Sequence, residues 1–395
     1  MNLRRTTSQT GKAAQAPLEL LGGISASVFL RDYWQKKPLL IRSAIKAFVG
    51  PLSKSEVLTL ARRDDAESRL VTSVADRWQL VHGPFSAKDF RFPPGATWTV
   101  LIQDVQHFSY EAHELLAKFN FIPQARIDDL MVSYATAGAG VGPHFDTYDV
   151  FLLQGSGCRR WQISQQRDLR LKPDLPLKIL SHFKPSQEFV LQTGDMLYLP
   201  PGVAHNGIAE SECLTWSVGF RAPSKQDLSL AFLDYVRDST SLTGLYADPG
   251  VAPSQSCAEI DAAMQQRFSG LLKSVQTAAN DPAIVRKFVG CYLTDPKMHV
   301  VFDAPEVAIS IKQFERLMQK HGVELDLKTR MLYNNEHVFV NGEATADMRG
   351  SRRLLRELAN LRMLSAAKCA ELKTGAVMEW LYQCYCDGAL TIARH

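Results

Sequence analysis

Two histidines and one aspartate carry the clearest chemical signal in this sequence of 395 residues. His144 and Asp146 are separated by a single residue, and His205 follows a Pro-Pro-Gly turn. Residues i and i+2 of a β-strand point to the same face, about 7 Å apart, so we expect both side chains to project together. Two histidines and one carboxylate on one face of an Fe(II) ion leave three coordination positions open. The pattern therefore predicts a facial-triad iron site that His205 completes.

The surroundings of these residues support the prediction, because a His-x-Asp triplet by itself often occurs by chance. A glycine-rich loop that can lie close to a ligand precedes His144, at 138–143. A long string, 194–205, leads through a short strand and a turn to His205. We interpret the other non-terminal histidines as surface or hydrogen-bonded core residues, since none has a comparable setting: His82, His107, His113, His182, His299, His321 and His337.

Short apolar runs separated by glycine and proline turns predict the elements that position these residues. Such a pattern from about 98 to 222 is typical of a sandwich, barrel or jelly roll. The expected strands are Trp98–Ile102, Leu130–Tyr134, Val150–Gln154, Arg160–Ile163, Met196–Leu199 and Leu214–Phe220. Helical pieces and the strand Leu39–Ile41 precede this region. Two helices with apolar stripes follow it, the first beginning at Ser224, and a hairpin is expected at Asn341-Gly342.

Composition limits the possible classes of protein. Hydrophobic residues make up 46% and charged residues 22%, which indicates a globular chain of two or three domains. A net charge of +4 is too small to indicate nucleic-acid binding. No apolar run is long enough to span a membrane, and the first residues lack the apolar segment of a secretory signal. Seven scattered cysteines without a Cys-x-x-Cys pair indicate reduced thiols in a cytoplasmic protein rather than a zinc site.

Longer motifs surround the candidate residues and carry a family resemblance. They are Phe29–Leu39, Arg126–Ser133, Val141–Phe151, Gln154–Trp161, Gly194–His205 and Ser217–Pro223. Together they resemble the jumonji-C ribosomal oxygenases of the cupin-4 type. The resemblance is strongest to the bacterial branch, which hydroxylates an arginine of a large-subunit ribosomal protein. The strong motifs cover about 29–42 and 98–223.

The resemblance implies an α+β protein built on a jumonji-type double-stranded β-helix, a cupin-like jelly roll. It also implies a helical dimerisation module and a C-terminal winged-helix-like domain. We accordingly expect a flexible tail at 1–17, a helical and strand extension at 18–97 and the jumonji-C core at 98–222. The dimerisation module is expected at 223–290 and the winged-helix-like domain at 291–395.

The resemblance further implies Fe(II) as the metal, with 2-oxoglutarate and O₂ as co-substrates. It assigns His144, Asp146 and His205 as iron ligands and catalytic residues. Arg159 would bind the far carboxylate of 2-oxoglutarate, and Ser133 would hydrogen-bond it. Strand alternation supports Arg159, because residues 159, 161 and 163 share a mostly apolar face and residue 160 points to the opposite side. The alternative is that Arg159 is a surface charge beside Arg160.

Three further residues are expected to contact the substrate. Alternation places Asp129, Met131 and Ser133 on one face of their strand, and Tyr148 on the face of His144 and Asp146. An acidic group beside aromatic surface suits a cationic side chain. Asp129 would thus pair with the guanidinium of the substrate arginine while Met131 and Tyr148 flank its stem. The alternative interpretation is a strand-end aspartate with a core methionine and tyrosine.

The resemblance implies a β-hydroxylated arginine in ribosomal protein L sixteen as the product. Alternatives are another target residue such as histidine, demethylation, a small-molecule cupin enzyme, or a non-catalytic binding protein. Asp129 favours arginine over a neutral imidazole, and a non-catalytic barrel has no need of the complete triad with Arg159. We expect a homodimer, although the helical stripes also suit packing on the chain's own barrel. Direct nucleic-acid binding is not expected, because acidic residues accompany Arg349, Arg352, Arg353 and Arg356.

Overall fold

The computed structural model describes residues 15–74, 77–241, 243–253, 258–345, 348–372 and 375–393. Most of the expected N-terminal tail, at 1–14, therefore lies outside the described residues, as does Cys257. The described chain divides into two compact units. The first extends to Ala222 and includes His299–Val301, and the second comprises Pro223–Met298 and the chain from Phe302 onward.

The first unit contains three α-helices and eleven strands among its described residues. The helices are α1 (Ala26–Asp32), α2 (Lys54–Leu60) and α3 (Tyr110–Ala117). The strands are β1 (Leu39–Ile41), β2 (Ser68–Val74), β3 (Arg77–His82), β4 (Trp98–Ile102), β5 (Ile127–Ala135), β6 (Val150–Ser156), β7 (Arg159–Ser164), β8 (Gln187–Leu191), β9 (Met196–Leu199), β10 (Ala204–Ala209) and β11 (Cys213–Phe220). Each helix begins after a serine whose hydroxyl accepts a backbone N–H of the first turn, which satisfies an otherwise unpaired donor.

Two sheets form the body of this unit. The larger has the strand order β1-β9-β6-β11-β5-β4-β2-β3, and the smaller has the order β10-β7-β8. Alternate residues of β6 belong to different cores. Phe151 and Leu153 pack under the helices on the outer side of the large sheet, whereas Leu152 packs with Trp161 of the small sheet. The two sheets therefore face each other, and the jelly-roll fold expected from the sequence is confirmed.

The interior face of the large sheet is polar where it passes the predicted site. In β11 the outward side chains at positions 214, 216, 218 and 220 belong to the large core. The residues between them are small or polar: Thr215, Ser217 and Gly219. They lie opposite Ser133, Met131 and Asp129 of β5. The alternation predicted for β5 is confirmed, because Leu130, Val132 and Tyr134 are all in the core on the other side.

The second unit contains helices and short strands. The helices are α4 (Lys225–Ser239), α5 (Ala262–Ala279), α6 (Pro282–Thr294), α7 (Ile311–His321), α8 (Arg352–Leu361), α9 (Ala366–Ala370) and α10 (Ala376–Cys386). The strands are β12 (Val323–Leu325), β13 (Met331–Tyr333), β14 (Val338–Val340), β15 (Glu343–Ala344), β16 (Met363–Leu364) and β17 (Leu390–Ile392). They form two small sheets, β16-β12-β17 and β13-β14-β15.

Local sequence signals are confirmed in this unit. The Ser224 hydroxyl accepts the backbone N–H of Asp227 at 3.0 Å and begins α4 as predicted. Asn341 and Gly342 both have positive φ angles, 48° and 91°, and join β14 to β15 in the expected hairpin. A core that includes Phe314, Leu355 and Leu381 joins α7–α10 to the two small sheets. Across the described chain, none of the helices combines the length and apolar character needed to cross a membrane.

The sequence interpretation missed the edge of the large sheet. The sequence predicts no individual strand at 66–97, yet this part forms the long hairpin β2–β3, which pairs with the expected strand β4. In β3 the side chains at 77, 79 and 81 are exposed, whereas Trp78 and Leu80 on the other face are half-buried. The alternation therefore rests on two apolar residues, and so short a pattern is a weak sequence signal for a strand.

Candidate functional site

His144, Asp146 and His205 come together at the edge of the small sheet. His205 lies in β10, and His144 pairs with it through an isolated antiparallel bridge. The backbone N–H of each histidine donates to the carbonyl oxygen of the other, at 2.9 and 2.8 Å. The expectation of a strand through Asp146 and Tyr148 is wrong, because residues 145–149 lie outside any strand, with a bend at 147–148, before β6 begins. The turn is held by Gly202, whose N–H donates to the carbonyl oxygen of Asp146 at 2.8 Å.

The side chains of His144, Asp146 and His205 bring acceptor atoms close together. The Nδ1 atom of His144 lies 2.8 Å from the Gly142 carbonyl oxygen, and that of His205 lies 3.0 Å from the Val203 carbonyl oxygen. A carbonyl accepts only, so each Nδ1 carries the proton and each Nε2 keeps a lone pair. His205 Nε2 is 3.6 Å from Asp146 Oδ2, and one donor atom from each residue lies within 4.8 Å of the others. Lone pairs that converge without a proton between them fit a metal cation.

Burial keeps the second histidine neutral. Only 2% of His205 is exposed. Burial, with a further contribution from neighbouring His144, lowers the pKa of His205 to about 4, although the Asp146 carboxylate opposes this shift. His205 is therefore a neutral imidazole at neutral pH, which is the form that binds metals.

The glycine-rich loop before His144 is required by close backbone packing. A Cβ atom on Gly140 would lie 2.3 Å from the Gly207 carbonyl oxygen of β10. Gly142 has a φ angle of +80°, and a Cβ there would crowd Trp78 and Ile179. The loop therefore lies directly against β10, and this contact brings His144 beside His205.

Arg159 is buried in the interior of the fold with an incomplete set of partners. It is 5% exposed, and its Nε and Nη2 atoms have no hydrogen-bond acceptor. Its Nη1 lies 3.5 Å from the Ser133 hydroxyl across the barrel. The predicted alternation in β7 holds, because Arg160 points outward and bonds Glu210 at 2.5 Å and Glu188. A buried guanidinium with unused donors is costly unless an anion binds it.

Asp129 and Tyr148 lie together beside this site. Asp129 is 7% exposed, and Met131 is half-buried on the same face of β5. Tyr148 keeps 40% of its surface exposed but is crowded by protein atoms. This desolvation, together with the negative charges of Asp146 and Asp129, raises the pKa of the Tyr148 hydroxyl well above its usual value. An aromatic ring therefore stands among carboxylates at the open side of the site.

Sequence reasoning missed two groups that hold these residues in place. The side-chain amide nitrogen of Gln103 donates a hydrogen bond to Asp129 Oδ2 at 2.8 Å, and its oxygen accepts one from Arg69 Nη2 at 3.3 Å. Asp149, with no exposed surface, accepts the Tyr198 hydroxyl at 2.6 Å and the Gln35 amide at 2.9 Å. No local signal marks Gln103, whereas Asp149 stands in the quoted motif.

Comparisons with known proteins agree with this architecture. The JmjC domain family matches residues 114–228, and the ROXA-like winged helix family matches residues 276–391. The first match spans β5 to β11 and includes all eight predicted site residues. The second covers most of the helices and small sheets of the second unit.

Curated relatives and solved structures match over most of the chain. The ribosomal protein uL16 3-hydroxylase of Escherichia coli is 33% identical over 80% of this chain and 84% of its own. A probable ribosomal oxygenase of Haemophilus influenzae is 31% identical over 91% of this chain and 88% of its own. The crystal structure of Escherichia coli YcfD superimposes with a TM-score of 0.81 at 30% identity and covers 92% of this chain and 97% of its own.

A second YcfD structure, in complex with cobalt and 2-oxoglutarate, superimposes with a TM-score of 0.78 at 29% identity. It covers 92% of this chain and 97% of its own. Sequence identity and fold thus agree over nearly the whole length of these relatives. The chain belongs to the ribosomal oxygenases, the family that joins a JmjC domain to a ROXA-like winged helix.

Proposed function

We propose that this protein is an Fe(II)- and 2-oxoglutarate-dependent dioxygenase that hydroxylates the β-carbon of an arginine in the large-subunit ribosomal protein uL16, that is, ribosomal protein L sixteen. One observation carries the proposal. A cluster of two histidines and a carboxylate lies in the same interior as a buried arginine, two of whose nitrogens lack acceptors. The histidine and aspartate cluster can bind a cation, and the buried arginine can bind an anion. An iron ion with a chelated dicarboxylate supplies both charges.

His144, Asp146 and His205 would hold the iron. Their separations bring the donor atoms within reach of one ion, and the bonds to the Gly142 and Val203 carbonyl oxygens orient both imidazole rings. Three protein ligands on one side leave the remaining positions for small molecules. When bound, the iron and 2-oxoglutarate supply the oxidising power that converts a C–H bond and O₂ into a hydroxyl group, with succinate and CO₂ as co-products.

Arg159 would bind the far carboxylate of 2-oxoglutarate, and Ser133 would donate its hydroxyl. Ile163 lies opposite His205 in the sheet, so Arg159 begins four residues, about 13 Å, further along β7. The arginine side chain covers part of this span, and a five-carbon dicarboxylate suits the rest. The planar guanidinium can bind both oxygens of a carboxylate, a geometry that lysine lacks.

Asp129, Met131 and Tyr148 would receive the substrate arginine. The carboxylates of Asp146 and Asp129 raise the pKa of Tyr148, and each acts more strongly than the opposing Arg69 guanidinium, so the surroundings of this ring are predominantly negative. A buried carboxylate beside an aromatic ring stabilises a cation better than a neutral imidazole. This charge favours arginine over histidine as the target. These residues would hold the side chain still and exclude water while its β-carbon faces the iron.

The relatives support the choice of substrate. The Escherichia coli relative is named as a uL16 3-hydroxylase, and YcfD has been crystallised with cobalt and 2-oxoglutarate. Ribosomal proteins are made and assembled in the cytoplasm of bacteria, and we place the protein there.

We also propose that the protein is a homodimer. Leucines on one side of α4 are exposed, with Leu230 at 55% and Leu233 at 52%, and α5 exposes Phe268 and Leu272. The opposite side of α4 packs Phe232 against Phe288 of α6. Two apolar helical faces of this kind suit a second copy of the chain. Direct nucleic-acid binding is not part of the proposal, because the described arginine side chains of α8 bond carboxylates or carbonyl oxygens.

Mass spectrometry of uL16 tests the proposed function. Recombinant uL16, or a peptide around its candidate arginine, is incubated with the protein, Fe(II), ascorbate and 2-oxoglutarate, with the His144→Ala variant as control. We expect the mass of one added oxygen on the arginine, absent with the variant. Turnover of 2-oxoglutarate to succinate without that product would keep the oxygenase and move the search to another target. Neither product, from protein shown to hold iron, would favour a binding module.

A further inference from the structure

The carboxylate proposed to bind the substrate is held on one side by an amide. Gln103 follows β4, and its side-chain nitrogen lies 2.8 Å from Asp129 Oδ2. Its oxygen lies 3.3 Å from Arg69 Nη2, so an arginine on β2 fixes which way the amide faces. A donor held in this way restricts rotation of the carboxylate about its χ2 angle.

The other oxygen of the same carboxylate faces a glycine. Gly219 of β11 lies directly opposite Asp129, at a point where the strand register shifts. A Cβ atom on Gly219 would lie 3.0 Å from Asp129 Oδ1 and 3.8 Å from Cε2 of Tyr148. The first distance is too short for a relaxed contact, so any larger residue would displace the carboxylate. The φ angle of Gly219 is not positive, so the backbone itself does not require glycine.

The neighbouring acidic residue shows that this arrangement is particular to one position. Asp128 precedes Asp129, points to the other face of β5 and is 3.4 Å from Arg221 Nε. Of the two aspartates, only Asp129 has the Gln103 amide at one carboxylate oxygen and Gly219 beside the other.

We infer that Gln103 is a positioning residue and Gly219 a specificity-determining residue, which together adapt Asp129 to a planar guanidinium. This inference rests on the proposed function and deepens it. A guanidinium binds a carboxylate through two parallel hydrogen bonds and needs its plane fixed and its approach unobstructed. A lysine ammonium is a point charge that needs neither. The pair Gln103 and Gly219 therefore sets a preference for arginine over lysine.

Steady-state kinetics on Gln103→Met and Gly219→Ala test the inference. The first removes the amide with little change in length, and the second adds the obstructing Cβ. For each variant we expect the KM for the arginine peptide to rise about tenfold, because Gln103→Met loses a charge-assisted hydrogen bond to Asp129 and Gly219→Ala shifts the Asp129 carboxylate. The KM for 2-oxoglutarate and its uncoupled turnover without peptide should remain within about twofold of the parent protein. The preference for the arginine peptide over the same peptide with lysine should fall in both variants.

Matched controls separate this role from general damage. Gln162→Met changes a glutamine on the outer face of β7, where it bonds Glu188, and Gly270→Ala changes an α5 glycine with open space around it. Both should behave as the parent protein. The inference is overturned if the KM for the arginine peptide stays unchanged in Gln103→Met and Gly219→Ala while Asp129→Asn raises it. It is also overturned if the KM for the arginine peptide and the KM for 2-oxoglutarate rise together, because a joint rise indicates structural damage. If Asp129→Asn has no effect either, the proposed substrate site itself is wrong.

Discussion

Replacing Arg159 by methionine should abolish 2-oxoglutarate binding without destabilising the ligand-free protein. Two guanidinium nitrogens of Arg159 are buried and have no acceptor among the protein's own atoms, so the protein alone does not satisfy this cation. Each unsatisfied buried polar group costs about 1–3 kcal/mol, and methionine fills a similar length without one. We expect Arg159→Met to be as stable as the parent or more stable, by up to about 2 kcal/mol.

The loss of affinity follows from the same geometry. Truncating one partner of a buried charge pair costs about 2–5 kcal/mol, which corresponds to an increase of roughly 30-fold to several-thousand-fold in the KM for 2-oxoglutarate. Ligand at 100 times its Kd stabilises the parent protein by about 2.7 kcal/mol, a rise of about 5–10 °C in Tm. Arg159→Met should show no such rise at the same concentration.

Thermal unfolding and 2-oxoglutarate kinetics measure both effects. Melting curves are recorded with Co(II), the ion present with the related YcfD, with and without 2-oxoglutarate. Arg160→Met is the matched control, because that side chain bonds Glu188 and Glu210 on the opposite face of β7. The control should keep the KM for 2-oxoglutarate. A variant at position 159 that keeps this KM within about threefold, or a ligand-free variant several kcal/mol less stable, would refute the reasoning.

Three other predictions concern the metal, the ligand loop and the helical face. Asp146→Ala should remove stoichiometric Co(II) binding, measured by isothermal titration calorimetry, because it removes one of three converging acceptors. The Tm of the metal-free protein should stay unchanged or rise. Retained Co(II) binding would exclude Asp146 as a ligand. Asp149→Ala should lower the free energy of unfolding in urea by about 2–4 kcal/mol, because the buried Tyr198 hydroxyl loses its acceptor; an unchanged urea midpoint would contradict this. Leu233→Glu should convert a dimer into monomer in light scattering, whereas Leu245→Glu, at a more exposed position outside the helices, should not; a dimer in both, or a monomeric parent, would contradict the proposed interface.

Much of the barrel could be predicted because its strands alternate strongly. Met196–Leu199 and Trp98–Ile102 have the bounds expected from the sequence, and β5 and β7 turn the expected side chains inward. The period of two is a local property, so a single strand shows which residues share a face. The hairpin β2–β3 was missed because the alternation of its edge strand rests on only two half-buried apolar residues, Trp78 and Leu80.

The predicted site residues do gather in one interior, but not through the local structure expected for all of them. His144 and Asp146 were placed on a strand, whereas His144 lies in an isolated bridge and Asp146 lies outside any strand, held by Gly202. Gln103 and Gly219 could not have been chosen from the sequence as neighbours of Asp129. They lie on separate strands, and which residues face one another across strands depends on the register of the whole sheet.

The sequence by itself determined the residue types of the site, the face of each regular strand that they occupy and, through its motifs, the family. These are properties of short segments, set by alternation, turn residues and motif spacing. The tertiary structure alone decided which atoms meet. The carbonyl oxygens of Gly142 and Val203 select the protonated nitrogen of each histidine, and the packing of two sheets leaves Arg159 without acceptors. Such contacts join residues far apart in the chain, so they arise only when the strands have paired and the interior has closed.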